Sequence, residues 1–159
     1  MPNHTDNRVI LSHDDSQMID KIYNIMNTED TELCQAILPM DEKLLDGGDW
    51  YEWRLDNWGT KWDIYDSTCD RIDANTLQLL FYTAWSPPTG IFDKLVDMGY
   101  DVHARYLDEG WSYIGMYNNG ETTDFSDVED GIKECPELDE EFDIRGMIEE
   151  ENEDGTNSQ

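Results

Sequence analysis

Asn57-Trp58-Gly59-Thr60-Lys61-Trp62 gathers side chains able to hold a ligand. An indole offers a flat face for stacking and one N–H donor, and Lys61 is one of few cations in the chain. Together with Trp85, the residues Trp58, Lys61 and Trp62 could line a groove for a base or a peptide. The competing expectation is that these indoles fill the core of a thin sheet-and-helix sandwich, with Lys61 paired to a nearby acid. Asp63, Asp66, Asp70 and Asp73 fall within eleven residues, an oxygen-rich run of the kind calcium takes. They lack the central glycine and closing glutamate of an EF-hand loop and read as solvated strand and turn residues.

The remaining chemistry-bearing types are scattered. His4, His13 and His103 have no histidine or cysteine at ligand spacing. Cys34, Cys69 and Cys135 make neither a zinc spacing nor a complete disulfide set, which fits a reducing compartment. Ser86 precedes two prolines and has no positioned base in view. No phosphate loop, dinucleotide fingerprint or Gly-x-Ser-x-Gly occurs. The expectation is a binding protein, not an enzyme, with no catalytic residue, metal or cofactor.

Charge is the dominant signal. The chain carries 38 acidic against 10 basic residues, a formal net charge of -28. Such a surface repels phosphate backbones and anionic membranes, so direct binding to nucleic acid or to a membrane is not expected. From Glu121 onward there are 16 acidic and 2 basic residues, half the net charge in a quarter of the length. Carboxylates held at spacings near those of phosphates could occupy the basic channel of a DNA- or RNA-binding protein. The carboxylates flanking the last hairpin, Asp108, Glu109, Glu121, Asp124, Asp127, Glu129 and Asp130, are the candidate contact surface.

The elements that must position these residues follow from local pattern. Asn7 to Ser12 is a β-branched run ended by His13-Asp14-Asp15, which can cap a helix bearing Met18, Ile19, Ile22, Tyr23 and Met26 at three- and four-residue spacing. A turn-rich stretch with an apolar island at 33–40 and a loop at 46–49 comes next. One or two strands are expected between residues 60 and 82, the clearest being Leu77 to Tyr82, stopped at Trp85-Ser86-Pro87-Pro88. The prolines can open a helix that carries Ile91, Phe92, Leu95 and Val96 and ends at Gly99. A hairpin of residues 100–107 and 111–117 follows, then a turn at Asn118-Asn119-Gly120. This order predicts an α+β, ferredoxin-like split βαβ sandwich with an antiparallel sheet and helices on one face. The predicted divisions are a domain over 1–120, an acidic extension over 121–148 with a short helix docking through Leu138, Phe142 and Ile144, and a disordered acidic tail over 149–159.

Several stretches resemble the YubB-type ferredoxin-like domain family of bacteriophages and plasmids. MPNHTDNRVILS is similar to its asparagine-rich opening, and AILPMDEKL to an internal leucine-proline element. WYEWRLDNWGTKWD is similar to its tryptophan-rich core motif, and FYTAWSPPTGIFDKL to its strand-into-helix junction. The opening departs from the family in carrying His4 and Thr5 where a cysteine or tryptophan is common. The resemblance implies a ferredoxin-like topology without an iron–sulfur cluster, and three scattered cysteines agree, since a cluster needs four thiolates.

The function expected from charge and resemblance together is inhibition of a host DNA- or RNA-binding protein, such as a defence nuclease or restriction factor, by DNA mimicry. The expected compartment is the bacterial host cytoplasm, because no signal peptide and no run of about 18 apolar residues is seen. The alternatives are an accessory protein that binds a peptide or nucleotide through its tryptophan-rich segment, or a structural phage component. The sequence does not set the oligomeric state.

Overall fold

The strand expected from Asn7 starts sooner. In the computed structural model, which describes residues 3–157, β1 spans His4–Ser12. Thr5, Asn7, Val9 and Leu11 are buried on one face, while His4, Asp6, Arg8 and Ile10 turn to the other, the two-residue alternation of a pleat. Asp15 caps α1 (Ser16–Met26), its carboxylate accepting the Gln17 amide at 3.0 Å. Ile19, Ile22 and Met26 are the buried stripe of that helix.

The turn-rich stretch folds as three short helices, α2 (Leu33–Ile37), α3 (Lys43–Gly47) and α4 (Trp50–Asn57). Leu38, held out of the helical region by Pro39, ends α2. Residues 60–82 hold two strands, β2 (Tyr65–Asp73) and β3 (Thr76–Ala84), paired antiparallel. α5 (Thr89–Asp97) starts after the two prolines and ends at Gly99, whose φ is +94°. The Gly99 amide reaches Val96 O at 3.0 Å and the Tyr100 amide reaches Leu95 O at 3.0 Å, so the last carbonyls of α5 are satisfied by a glycine in the left-handed region.

β4 (Asp101–Asp108) and β5 (Ile114–Asn118) form the expected hairpin. A further strand, β6 (Glu121–Phe125), pairs with β5 through a two-residue turn in which Asn119 and Gly120 have φ of +46° and +102°. The domain boundary expected at residue 120 therefore falls inside a hairpin, and the sheet runs on to Phe125. The extension continues as α6 (Val128–Glu134), α7 (Pro136–Phe142) and α8 (Ile144–Asn157), three helices where one was expected. The tail expected to be disordered from residue 149 continues the backbone of α8 as far as Asn157, with the start of that helix anchored by buried Ile144 and half-buried Ile148. Residues 158 and 159 lie outside the described residues.

The sheet order is β2-β3-β1-β4-β5-β6, antiparallel throughout. Its first four strands, with α1 between β1 and β2 and α5 between β3 and β4, are the ferredoxin-like split βαβ arrangement, and β5 and β6 extend it at the β4 edge. The main core lies between this sheet and α1, α2 and α5, around Leu11, Ile22, Leu79, Phe92 and Val102.

A second, smaller core of Leu107, Ile114, Val128, Ile132, Leu138, Phe142 and Ile144 lies on the opposite face. Arg8 and Arg105, cross-strand partners on that face, tie α7 down. The Arg8 guanidinium stands 4.6 Å from the Phe142 ring and donates 2.5 Å to Glu141 O, and Arg105 donates 3.1 Å to Glu137 O. The docking expected of Leu138, Phe142 and Ile144 is thus realised on the face away from α1 and α5. No helix among the described residues is long and apolar enough to cross a membrane.

Candidate functional site

The two densest motifs of the sequence meet in space. Thr60 Oγ1 donates 3.0 Å to Ala84 O, Ser86 Oγ donates 2.6 Å to Gly59 O, and the Gly90 amide donates 3.1 Å to Trp58 O. These bonds stitch the 57–62 segment to the junction of β3 and α5. Asn7 Nδ2 donates 2.9 Å to Thr83 Oγ1, which in turn donates 2.7 Å to Ser86 O. Four of the buried polar side chains, Thr5, Asn7, Thr60 and Thr83, cluster around this one corner of the fold. Asn7 Oδ1 has no partner there, an uncommon state for a buried amide oxygen.

The groove expected from Trp58, Lys61, Trp62 and Trp85 does not form. Trp58 is 1% exposed in the main core, and its Nε1 donates 2.8 Å to Leu38 O. The Arg54 guanidinium stands 4.9 Å from the rings of both Trp50 and Trp58, so the tryptophan-rich helix clasps its own cation. Lys61 lies 4.8 Å over the Trp62 ring rather than beside an acid. Trp62 and Trp85 are 38% and 59% exposed, and no ring contact joins them among the described residues.

The aspartate run disperses as well. Asp63 accepts the amides of Cys34 and Gln35, each at 2.9 Å, and so caps α2 from 29 residues away. Burial, and then the Asp63 carboxylate beside it, hold the Cys34 thiol well above its ordinary value. Among the described residues no group of three or more His, Cys, Asp or Glu is placed to hold a metal ion.

Of the seven candidate contact carboxylates, Asp108 is 2% exposed and faces inward. It accepts the Ser112 amide at 3.0 Å and the Ser112 hydroxyl at 2.6 Å, which shapes the loop between β4 and β5. Its place in a contact surface is corrected: a carboxylate inside a turn closes that turn. Glu109, Glu121, Asp124, Asp127, Glu129 and Asp130 are exposed. Asp127 also caps α6 through the Asp130 amide at 3.1 Å. Glu121, Asp124, Asp127, Glu129 and Asp130 run along β6 and the first turn of α6, whereas Glu109 lies apart, beside Glu150 and Glu151 at a shallow depression. None of the six forms a salt bridge among the described residues. The paired arginines go instead to Asp6, Asp20, Asp139 and Glu141.

A cleft that sequence reasoning missed opens between the start of α5 and β6. It encloses about 580 Å³ and is walled by Ser86, Thr89, Tyr106, Tyr113, Asp124 and Phe125, within the size range of ligand pockets. Tyr106 donates its hydroxyl to Asp124 Oδ1. Burial first, and then this carboxylate, push the Tyr106 phenol far above its ordinary value. The pair meets across Gly115 of β5, the residue opposite both partners in the ladder. A Cβ on Gly115 would fall 2.3 Å from Asp124 Oδ1 and 2.6 Å from Tyr106 Cε2, so only glycine leaves room for the contact. Asn119-Gly120 was the available signal, since that dipeptide marks a tight hairpin and hence a strand carrying Asp124.

Comparison with curated proteins and with solved structures returns no match. Residues 61–147, more than half of the chain and reaching from β2 into the start of α8, match the family described as the ferredoxin-like domain in Api92-like protein. The split βαβ order of the sheet is the topology which that description names, and the chain belongs to this family.

Proposed function

We propose that the protein is an acidic docking protein that occupies the basic, nucleic-acid-binding channel of a DNA- or RNA-handling protein. The observation that carries this reading is the row of exposed carboxylates along β6 and α6, Glu121, Asp124, Asp127, Glu129 and Asp130, none of them in a salt bridge among the described residues. Duplex DNA presents one charge per about 1.7 Å of axis. A compact domain with a net charge of -28 offers a comparable field. In this reading the protein binds and does not catalyse, and it works by competing with phosphate for the same cations.

The finer reading rests on the resemblance to YubB-type proteins of phages and plasmids. It makes the chain an inhibitor of a host defence nuclease or restriction factor in the bacterial cytoplasm. The test is capture from bacterial lysate at about 50 mM and 500 mM salt, with the wild-type chain and a Glu121→Lys, Asp127→Lys, Glu129→Lys, Asp130→Lys variant. The expected result is a basic nucleic-acid-binding protein that is released by salt, is lost in the variant and is displaced by duplex DNA. Capture that survives charge reversal, or that DNA does not displace, sinks the proposal.

A further inference from the structure

We propose that the cleft between α5 and β6 is a guanidinium pocket that receives an arginine side chain of the partner, an inference that rests on the docking function above and gives it an anchor point. Three observations select the ligand. First, no lysine or arginine lines the cleft. The amides that open α5 are also already used: Thr89 N reaches Pro87 O at 2.9 Å, Gly90 N reaches Trp58 O at 3.1 Å, and Ile91 N and Phe92 N reach Pro88 O at 3.0 and 3.1 Å. An anion would find no cation and no free helix amide there, only the hydroxyls of Thr89 and Ser126, which removes the attraction of a helix N-terminus for phosphate.

Second, Tyr106 engages only Oδ1 of Asp124, and no donor among the described residues reaches Oδ2. The Tyr106 bond fixes the carboxylate of this exposed residue while leaving its second oxygen without a donor among the described residues, which suits a charge-assisted hydrogen bond from a cation. Third, Tyr113, half-buried and on the wall of the same cleft, brings an aromatic ring to it. A planar guanidinium stacks on such a ring and can still donate from its edge, whereas an ammonium must shed a compact hydration shell. Asp124 is thus both a member of the acidic row on β6 and α6 and a wall of the cleft, and an arginine entering the cleft would draw a basic surface onto that row.

The experiment titrates Nα-acetyl-L-arginine amide into the full-length ¹⁵N-labelled chain and follows amide shifts. Nα-acetyl-L-citrulline amide serves as the neutral isostere and Nα-acetyl-L-lysine amide as the ammonium control. The expected outcome is saturable shifts at Gly59, Thr89, Asp124 and Ser126 with the arginine amide, and binding weaker by about ten- to a hundredfold with either control or with Asp124→Asn. Glu42→Gln, an exposed carboxylate outside both the cleft and the row, leaves the affinity unchanged. Equal binding of the lysine amide overturns the proposal, and so do shifts spread evenly over Glu121, Glu129 and Asp130 or no shift in the cleft. If Asp124→Asn loses its fold, Ser126→Arg, which plants a guanidinium at the rim, must abolish arginine-amide binding instead. The two proposals fail separately: a cleft that ignores arginine leaves salt-dependent partner capture intact, whereas partner capture that survives reversal of the row leaves arginine binding in the cleft intact.

Discussion

The hydroxyl of Tyr113 donates a 2.8 Å hydrogen bond to the carbonyl of Trp85. With its single proton used there, the same oxygen accepts from Thr5 Oγ1 at 2.5 Å. Three elements meet at that atom: the start of β1, the end of β3 and the loop that Asp108 closes. Trp85 holds a φ of +74°, a region that bulky residues avoid unless their surroundings impose it. The Tyr113 bond, together with the 2.9 Å bond from the Trp85 amide to Asn3 O, holds both sides of that residue in place.

Tyr113→Phe removes the donor to Trp85 and the acceptor for Thr5 at once. The expected loss is about 1–3 kcal/mol of unfolding free energy. Urea unfolding should show a lower midpoint with an unchanged slope. An unchanged midpoint would mean that the contact contributes nothing net.

Gly115→Ala drives a methyl into Asp124 and Tyr106. Overpacking at this crossing should cost about 1–3 kcal/mol, and Gly115→Ala combined with Tyr106→Ala should recover part of it, because the ring that is struck has gone. Thermal unfolding of Gly115→Ala, Tyr106→Ala and the double variant checks this. A double variant no better than the sum of the single changes would place the strain elsewhere.

Phe142→Ala removes the ring that packs the second core and faces Arg8. About 3–5 kcal/mol is expected, the usual cost of truncating a buried aromatic. Hydrogen exchange should then show α6 and α7 opening before β1 and β3, whose amides belong to the main core. Uniform loss of protection would show that the two cores unfold as one.

Alkaline pH should weaken the fold. Burial, followed by nearby carboxylates, pushes Cys69 up to about 11, and it pushes Tyr65 up to about 12 with Glu109 and Asp66 beside it. Burial is also the main cause that takes Tyr113 up to about 12. Each group holds its proton more tightly folded than unfolded, so its stabilising share is complete below the ordinary thiol and phenol values and is lost as pH climbs through the raised ones. Melting temperature should be flat between about pH 7 and 8.5 and fall steadily above about pH 9. A profile that stays level to about pH 11 contradicts this.

Much of the scaffold was legible locally. The α1 stripe, the Asp15 cap, the proline entry and Gly99 exit of α5, and the β4–β5 hairpin all follow from residue spacing, because each is settled within a few positions. β6 was missed although its Asn119-Gly120 turn was seen. Its exposed Glu-Thr-Thr-Asp strand has no hydrophobic alternation, and as an edge strand it needs none. The helical run beyond residue 149 was hidden for a related reason: what holds α8 is Ile144 and Ile148 against a core whose other members lie on β4, β5, α6 and α7.

By itself the sequence determined the net charge of -28, the ferredoxin-like order of strands and helices, and the acidity of the last quarter of the chain, since these depend on composition and near-neighbour pattern. The tertiary structure alone decided which of those residues are available to a partner. It buries Asp108 and Trp58, sends Asp63 to cap a helix 29 residues away, and places Asp124 against Tyr106 across the gap at Gly115. Asp108 and Asp124 take these places through strand register and the face of the sheet a side chain leaves, Trp58 and Asp63 through the packing of the 58–64 segment against α2 and Leu38. Both are set by long-range contacts, which no local spacing encodes.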